Sequence, residues 1–150
     1  MSSLSPIQHA HYDAFMSAAT VREEVLRRMK KQPIRPTDIK LHQKSRILEV
    51  TFADGSRFTF PAEYLRVYSP SAEVRGHGPG QEVLQLGKET VNIVGIEPVG
   101  TYAVLLRFDD GHDTGIYSWD LLYNLGINQD SLWREYLTRL QEAGHPRGSA

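Results

Sequence analysis

Hydrophobic positions recur along this chain at two different periods. Up to about residue 33 the period is helical: Ile7, Ala10, Ala14, Ala18, Val21, Val25 and Met29 follow one another at steps of three or four. Ser5-Pro6 supplies a cap and a first-turn proline, and REEVLRRMKK ends in the cations that a helix C-terminus favours. Two prolines in QPIRPTD then stop the helix. Residues 1–35 therefore read as a helical extension. From Thr37 the period becomes two. IKLHQ alternates, and RILEVTF puts Leu48, Val50 and Phe52 on one face with Glu49 and Thr51 on the other. ADG turns the chain into SRFTF, since Asp-Gly between alternating runs is a strong hairpin signal. PAEYLRVY follows as a short helical turn with proline leading.

The same text returns further on. A slide of 56 residues lays Phe52-Ala53-Asp54-Gly55 on Phe108-Asp109-Asp110-Gly111, and Leu48 and Val50 on Val104 and Leu106. Continued past the turn, it lays Phe58, Phe60 and Leu65 on Thr114, Ile116 and Leu121. ILEVTFADGSRFTFPAEYL and AVLLRFDDGHDTGIYSWDLL are thus two copies of one strand–turn–strand–helix unit, each preceded by a further strand (DIKLHQ, VNIVGIEPV). Neither copy buries its apolar face alone, so the expected class is α+β, with small antiparallel sheets built from the two halves. Trp119 is expected to anchor the core under the second half. DSLWREYLTRLQEAG supplies a terminal helix, closed by Gly144. The domain is placed at 36–143, and 144–150 reads as a flexible tail.

Between the halves runs YLRVYSPSAEVRGHGPGQEVLQLGKE (Tyr64 to Glu89), rich in glycine and proline and not low in complexity. Irregular connections this long in a small domain are usually functional or disordered. This one offers Arg66, Ser69, Ser71, Glu73, Arg75 and His77 as a binding surface, and QEVLQLGK as a further short strand or turn. His112 lies just past the second Asp-Gly corner among Asp109, Asp110 and Asp113.

Composition narrows the chemistry. The 150 residues suit one domain, and 40% hydrophobic and 23% charged content is ordinary. A net charge of −1 exerts no pull on nucleic acid or an anionic membrane. The absence of cysteine excludes disulfides, thiolate metal sites and cysteine nucleophiles. There is no charged-then-apolar leader and no apolar run of about 20 residues, so the expectation is a soluble cytoplasmic protein. Ser69 and Ser71 stand near His77 but outside any G-x-S-x-G elbow, and the Gly76–Gly80 loop lacks a phosphate-loop frame. His9-Ala-His11-Tyr-Asp13 places its two histidines on different faces of a helix, a poor start for an iron site.

RILEVTFADG, YLRVYSPSAEVRGHGPGQ and IEPVGTYAVLLRFDDGHDTGIYSWDLL together resemble a bacterial family of small proteins similar to the N-terminal domain of gamma-butyrobetaine hydroxylase. The resemblance spans Pro36 to Glu142. It implies an α+β domain, and one that is not the catalytic part: the iron- and 2-oxoglutarate-dependent chemistry belongs to a following jelly roll that this chain does not contain. It also implies a zinc held by a C-P-C-x-x-C segment and one histidine. Those positions fall here on Ser69, Ser71 and Val74, with His112 as the histidine. Hydroxyls and an isopropyl group do not replace thiolates, so the thiolate zinc site is lost while His112 remains.

Two expectations follow. The first is a non-enzymatic accessory or binding domain with a protein partner. Similar domains occur fused to P-loop ATPases that carry iron–sulfur clusters, so such a carrier or a metalloenzyme is the partner implied. The second is a metal-binding protein or metal-dependent enzyme in which His77 and His112 hold a divalent metal, zinc or iron.

Overall fold

The computed structural model describes residues 34–148, apart from His77 and Pro79. The N-terminal helix expected over 1–33 and the histidine at 77 lie outside the described residues. Two three-stranded antiparallel meanders make up the body. The first contains β1 (Pro36–His42), β2 (Ile47–Phe52) and β3 (Arg57–Pro61), in the order β1-β2-β3. It is followed by helix α1 (Ala62–Val67) and the four-residue α2 (Ala72–Arg75). The second contains β4 (Ile93–Val99), β5 (Ala103–Phe108) and β6 (Gly115–Ser118), again in sequence order. Helices α3 (Trp119–Ile127) and α4 (Gln129–Glu142) follow it. Residues 81–86, where a strand was one expectation, carry no regular structure.

The local reasons repeat along with the elements. Alternation on β2 buries Leu48, Val50 and Phe52, and β5 buries Val104, Leu106 and Phe108. Both corners need a left-handed residue, supplied by Gly55 (φ +91°) and Gly111 (φ +88°). At the first corner the Phe52 N–H donates to the Ser56 carbonyl (2.8 Å), and the Asp54 carboxylate accepts from the Ser56 N–H (2.8 Å). At the second the Phe108 N–H donates to the His112 carbonyl (2.9 Å), and Asp110 accepts from the His112 N–H (3.2 Å). Even the irregularity at the start of the outer strand recurs, between Pro36 and Asp38 and between Ile93 and Gly95.

Beyond the corner the 56-residue correspondence needs correction. Val50 pairs with Phe58 and Leu48 with Phe60, whereas Leu106 pairs with Gly115 and Val104 with Tyr117. The second corner is one residue longer, so the shift becomes 57. Phe58 matches Gly115 rather than Thr114, Phe60 matches Tyr117 rather than Ile116, and Leu65 matches Leu122 rather than Leu121. Burial agrees: Tyr117 and Leu122 are fully buried, while Ile116 is 46% exposed. Because strand side chains alternate with period two, one added residue moves every later side chain to the opposite face.

The halves share a single core. Leu48, Val50 and Phe60 of the first sheet lie in one cluster with Ile93, Leu106 and Tyr117 of the second. Trp119 packs at its margin, half-buried, with its indole N–H donating to the Thr101 carbonyl (2.7 Å). Buried hydroxyls cross between the halves: Tyr64 donates to the Leu125 carbonyl and Tyr117 to the Leu65 carbonyl, both at 2.6 Å. Satisfying these hydroxyls removes the cost of burying them and fixes each helix against the opposite half. Among the described residues no helix is long and apolar enough to cross a membrane.

Candidate functional site

The long connection folds back onto the second Asp-Gly corner. Arg66 leaves α1, Ser69 follows the helix, and Ser71 caps α2 by accepting the Glu73 N–H (3.3 Å). Gly76 ends α2 with φ +71°, and a Cβ there would sit 2.1 Å from the Gln81 carbonyl oxygen. That position therefore admits only glycine without rebuilding the loop.

At the centre lies His112, buried with its side chain 1% exposed. Its Nε2 is 2.8 Å from the Ser69 hydroxyl, which also accepts the Ser71 N–H (3.2 Å). On the other ring edge Glu73 Oε2 comes within 3.3 Å of Nδ1 but lies off the N–H direction, so Nδ1 gains no hydrogen bond. The carboxylate favours the tautomer with its proton on Nδ1, which leaves Nε2 to accept from Ser69. Burial lowers the His112 pKa below its usual value, and the Arg66 charge lowers it further, outweighing the opposite pull of Glu73 and Asp110. The ring is accordingly neutral at pH 7. Ser71 and Thr114 join hydroxyls at 2.7 Å, and the Thr114 hydroxyl donates to Glu73 (3.2 Å).

Around this knot runs a charged layer. Arg66, only 8% exposed at its side chain, donates to Asp110 (2.9 Å) and to the Gln85 side-chain carbonyl (3.0 Å). Lys88 donates to the same Asp110 oxygen at 2.7 Å. Burial pushes the Asp110 carboxyl up, but Lys88, the His112 N–H and Arg66 together hold it at about 2. Gly115 makes room for the arrangement, since a Cβ there would stand 2.6 Å from the Ser69 hydroxyl.

The residues expected as a binding surface thus divide. Arg66, Ser69 and Ser71 are buried, with Ser69 fully inaccessible, and they serve as internal partners. Glu73 and Arg75 face solvent. His77, expected to join His112, is outside the described residues, so the pairing of the two rings is too. Sequence reading placed Asp110 beside His112 only as one of three aspartates of the turn, and did not single out Thr114, Gln85 or Lys88 as partners. The parallel with Asp54 at the first corner was the available signal for Asp110.

Chemically, Ser69, His112 and Glu73 stand in the order of a nucleophilic triad, but Ser69 offers no surface for a substrate to reach. The thiolate zinc implied by family resemblance does not fit either. Ser69 and Ser71 spend their hydroxyls on His112 and Thr114, and Val74 has no donor atom. Among the described residues no group of three or more His, Asp or Glu is placed to hold a metal ion.

Comparison with known proteins places this architecture. No curated protein matches the chain. One solution structure is 54% identical, covering 79% of this chain and 88% of its own, with a TM-score of 0.67. A second is 49% identical over 76% of this chain and 90% of its own, with a TM-score of 0.66. The crystal structure of a protein of unknown function from Acidithiobacillus ferrooxidans, of the DUF971 family, is 40% identical over 61% of this chain and 92% of its own, with a TM-score of 0.52. The family model described as "Gamma-butyrobetaine hydroxylase-like, N-terminal" matches residues 39–123, from β1 through α3 and across both corners. The chain therefore belongs to the gamma-butyrobetaine hydroxylase-like N-terminal domain family.

Proposed function

We propose that this domain is a non-catalytic accessory module that binds a protein partner. The observation that carries the reading is the Ser69–His112 hydrogen bond at zero exposure of Ser69: the chemically promising residues are spent on holding the loop. What the loop presents instead is a groove of about 580 Å³ beside α2. Val67, Val74, Val83 and Leu125 line it, with Arg75 and Arg139 among its charged residues, and Val83 is 53% exposed. Glu82 and Glu135 complete the lining, and a groove of mixed aliphatic and charged character is a usual form for a protein contact. The partner class we assign is an iron–sulfur carrier ATPase or a metalloenzyme, following the fusions of similar domains. Calorimetry of the purified chain against such a carrier tests this. Val83→Asp and Arg75→Glu are each expected to weaken binding about tenfold or more, a loss of about 1.4 kcal/mol. Unchanged affinity in both variants sinks the groove.

One observation favours a second reading. The His112 Nδ1 is buried, lacks a hydrogen-bond partner and faces Glu73 Oε2 at 3.3 Å, so loss of its proton would set a lone pair beside a carboxylate for a divalent cation to take. Metal analysis of protein purified without a histidine tag separates the two. Stoichiometric zinc or iron that disappears in His112→Ala supports the metal reading; a metal-free protein supports the first.

A further inference from the structure

A second buried charge lies at the opposite end of α1. Glu63 is 6% exposed, on a helix whose every residue is buried. A carboxylate so removed from water costs several kcal/mol unless it is paired. Among the described residues, hydrogen bonds to its oxygens come from Arg147 alone. Nε reaches both oxygens at 3.1 Å and Nη2 reaches Oε1 at 2.8 Å. The guanidinium carbon also stands 5.5 Å from the Trp133 ring centroid. A carboxylate taken two-pronged beside an aromatic ring selects the planar guanidinium over a compact ammonium.

The segment that delivers Arg147 is held by little else. Residues 141–148 are all exposed, and beyond α4 the chain is turn and coil. Beyond the helix-end bonds of Ala143 to the Arg139 carbonyl and Gly144 to the Gln141 carbonyl (both 3.0 Å), it is held by the His145 N–H on the Leu140 carbonyl (2.8 Å) and the Gly148 N–H on the Glu89 carboxylate (3.4 Å). A cavity of about 240 Å³ remains beneath it, against Leu86, Glu89, Tyr136 and Leu140. One side chain, rather than packing, fastens the tail. Trp133 and Arg147 both fall beyond the span that the family model matches.

We propose that Glu63 and Trp133 form a receptor for an arginine side chain, in which Arg147 is the tethered occupant and an arginine on a partner's peptide segment is the competing one. Tethering sets the threshold, because the tail presents its guanidinium at a high effective concentration that a partner must exceed. This site is independent of the groove beside α2.

The experiment uses the full chain carrying Arg147→Ala, followed by nuclear magnetic resonance at the Trp133 indole N–H, with Trp119 as internal reference. Ethylguanidinium and the acetylated peptide of residues 144–150 are expected to shift the Trp133 signal saturably and to raise the melting midpoint. Ethylammonium should do neither, and the unsubstituted protein, already occupied, should respond to none of them. Adding Glu63→Gln should weaken the response about tenfold or more. A folded Arg147→Ala protein without a saturable shift overturns the proposal, as does an equal response to ethylammonium. If that variant does not fold, Arg147→Lys replaces it: its ammonium keeps Glu63 paired, and ethylguanidinium must still displace it, failure again overturning the receptor.

Discussion

Arg66 and Tyr123 are equivalent residues of the two halves, 57 positions apart, and each reaches the Asp-Gly corner of the other half. The Arg66 guanidinium donates to Asp110 at 2.9 Å, and the Tyr123 hydroxyl donates to Asp54 at 2.5 Å. The duplication is thus closed by an exchange of helix side chains. The two links differ in kind, since one is a neutral donor on an exposed carboxylate and the other a nearly buried cation. Removing them should differ accordingly. Tyr123→Phe is expected to cost about 1 kcal/mol, the net worth of one hydrogen bond, and Arg66→Leu about 3 kcal/mol, because Asp110 and Gln85 lose their partner in a partly buried setting. Urea denaturation of both variants checks this; equal small losses would mean that Lys88 alone satisfies Asp110.

Asp110 makes a prediction at acid pH. Its folded pKa of about 2 lies below the ordinary carboxylate value, so the unfolded chain binds the proton more readily. The stability it contributes is complete above about pH 4 and disappears as the pH falls toward 2. Asp110→Asn should lower stability at pH 7 and flatten that acid limb. An acid limb unchanged in Asp110→Asn would assign it to other carboxylates.

His112 acts in a higher window. Its folded pKa is lowered by burial and by Arg66, so protonation favours the unfolded chain. Its contribution is complete above the unfolded value near 6.5 and is lost as the pH falls below it through the lowered folded pKa. His112→Gln, which keeps a polar group beside Ser69, should lose that slope while remaining folded. Melting midpoints at pH 5, 6 and 7 distinguish the outcomes.

Gly115 and Ser69 should be coupled. Gly115→Ala places a Cβ 2.6 Å from the Ser69 hydroxyl and 3.0 Å from the Tyr117 ring. Overpacking of this kind costs about 1–3 kcal/mol. With Ser69→Gly beneath it the clash with Oγ disappears, and the double variant should be more stable than the sum of the two single losses. Strict additivity would show that the Tyr117 contact dominates.

The corrected register is testable through neighbouring residues. Leu106→Ala, at a fully buried position, should cost about 2–5 kcal/mol, and Ile116→Ala, 46% exposed, about 0.5 kcal/mol or less. A large loss at Ile116 would restore the uniform 56-residue correspondence.

Much of this protein was legible in the order of its residues. Alternation around Leu48 and Leu106 marked the strands, Asp54-Gly55 and Asp110-Gly111 marked the corners, and their recurrence marked the duplication. These features are local: a pleat, a left-handed glycine and a helical stripe are each decided within a few neighbours. The singling out of His112 came from its position just after a corner. Tertiary structure decided the rest, because the deciding partners are distant in the chain. One extra residue at the second corner turned Ile116 outward and Tyr117 inward, which period-two reading cannot reveal before the pairing is known. Burial of Ser69 against His112, 43 residues away, made an apparent surface loop into a closed hydrogen-bonded knot. The pairing of Glu63 with Arg147, 84 residues apart, is likewise absent from any local pattern. Sequence fixes what each segment prefers, and only packing chooses which polar groups must meet, since each buried one has to find its partner wherever the fold brings it.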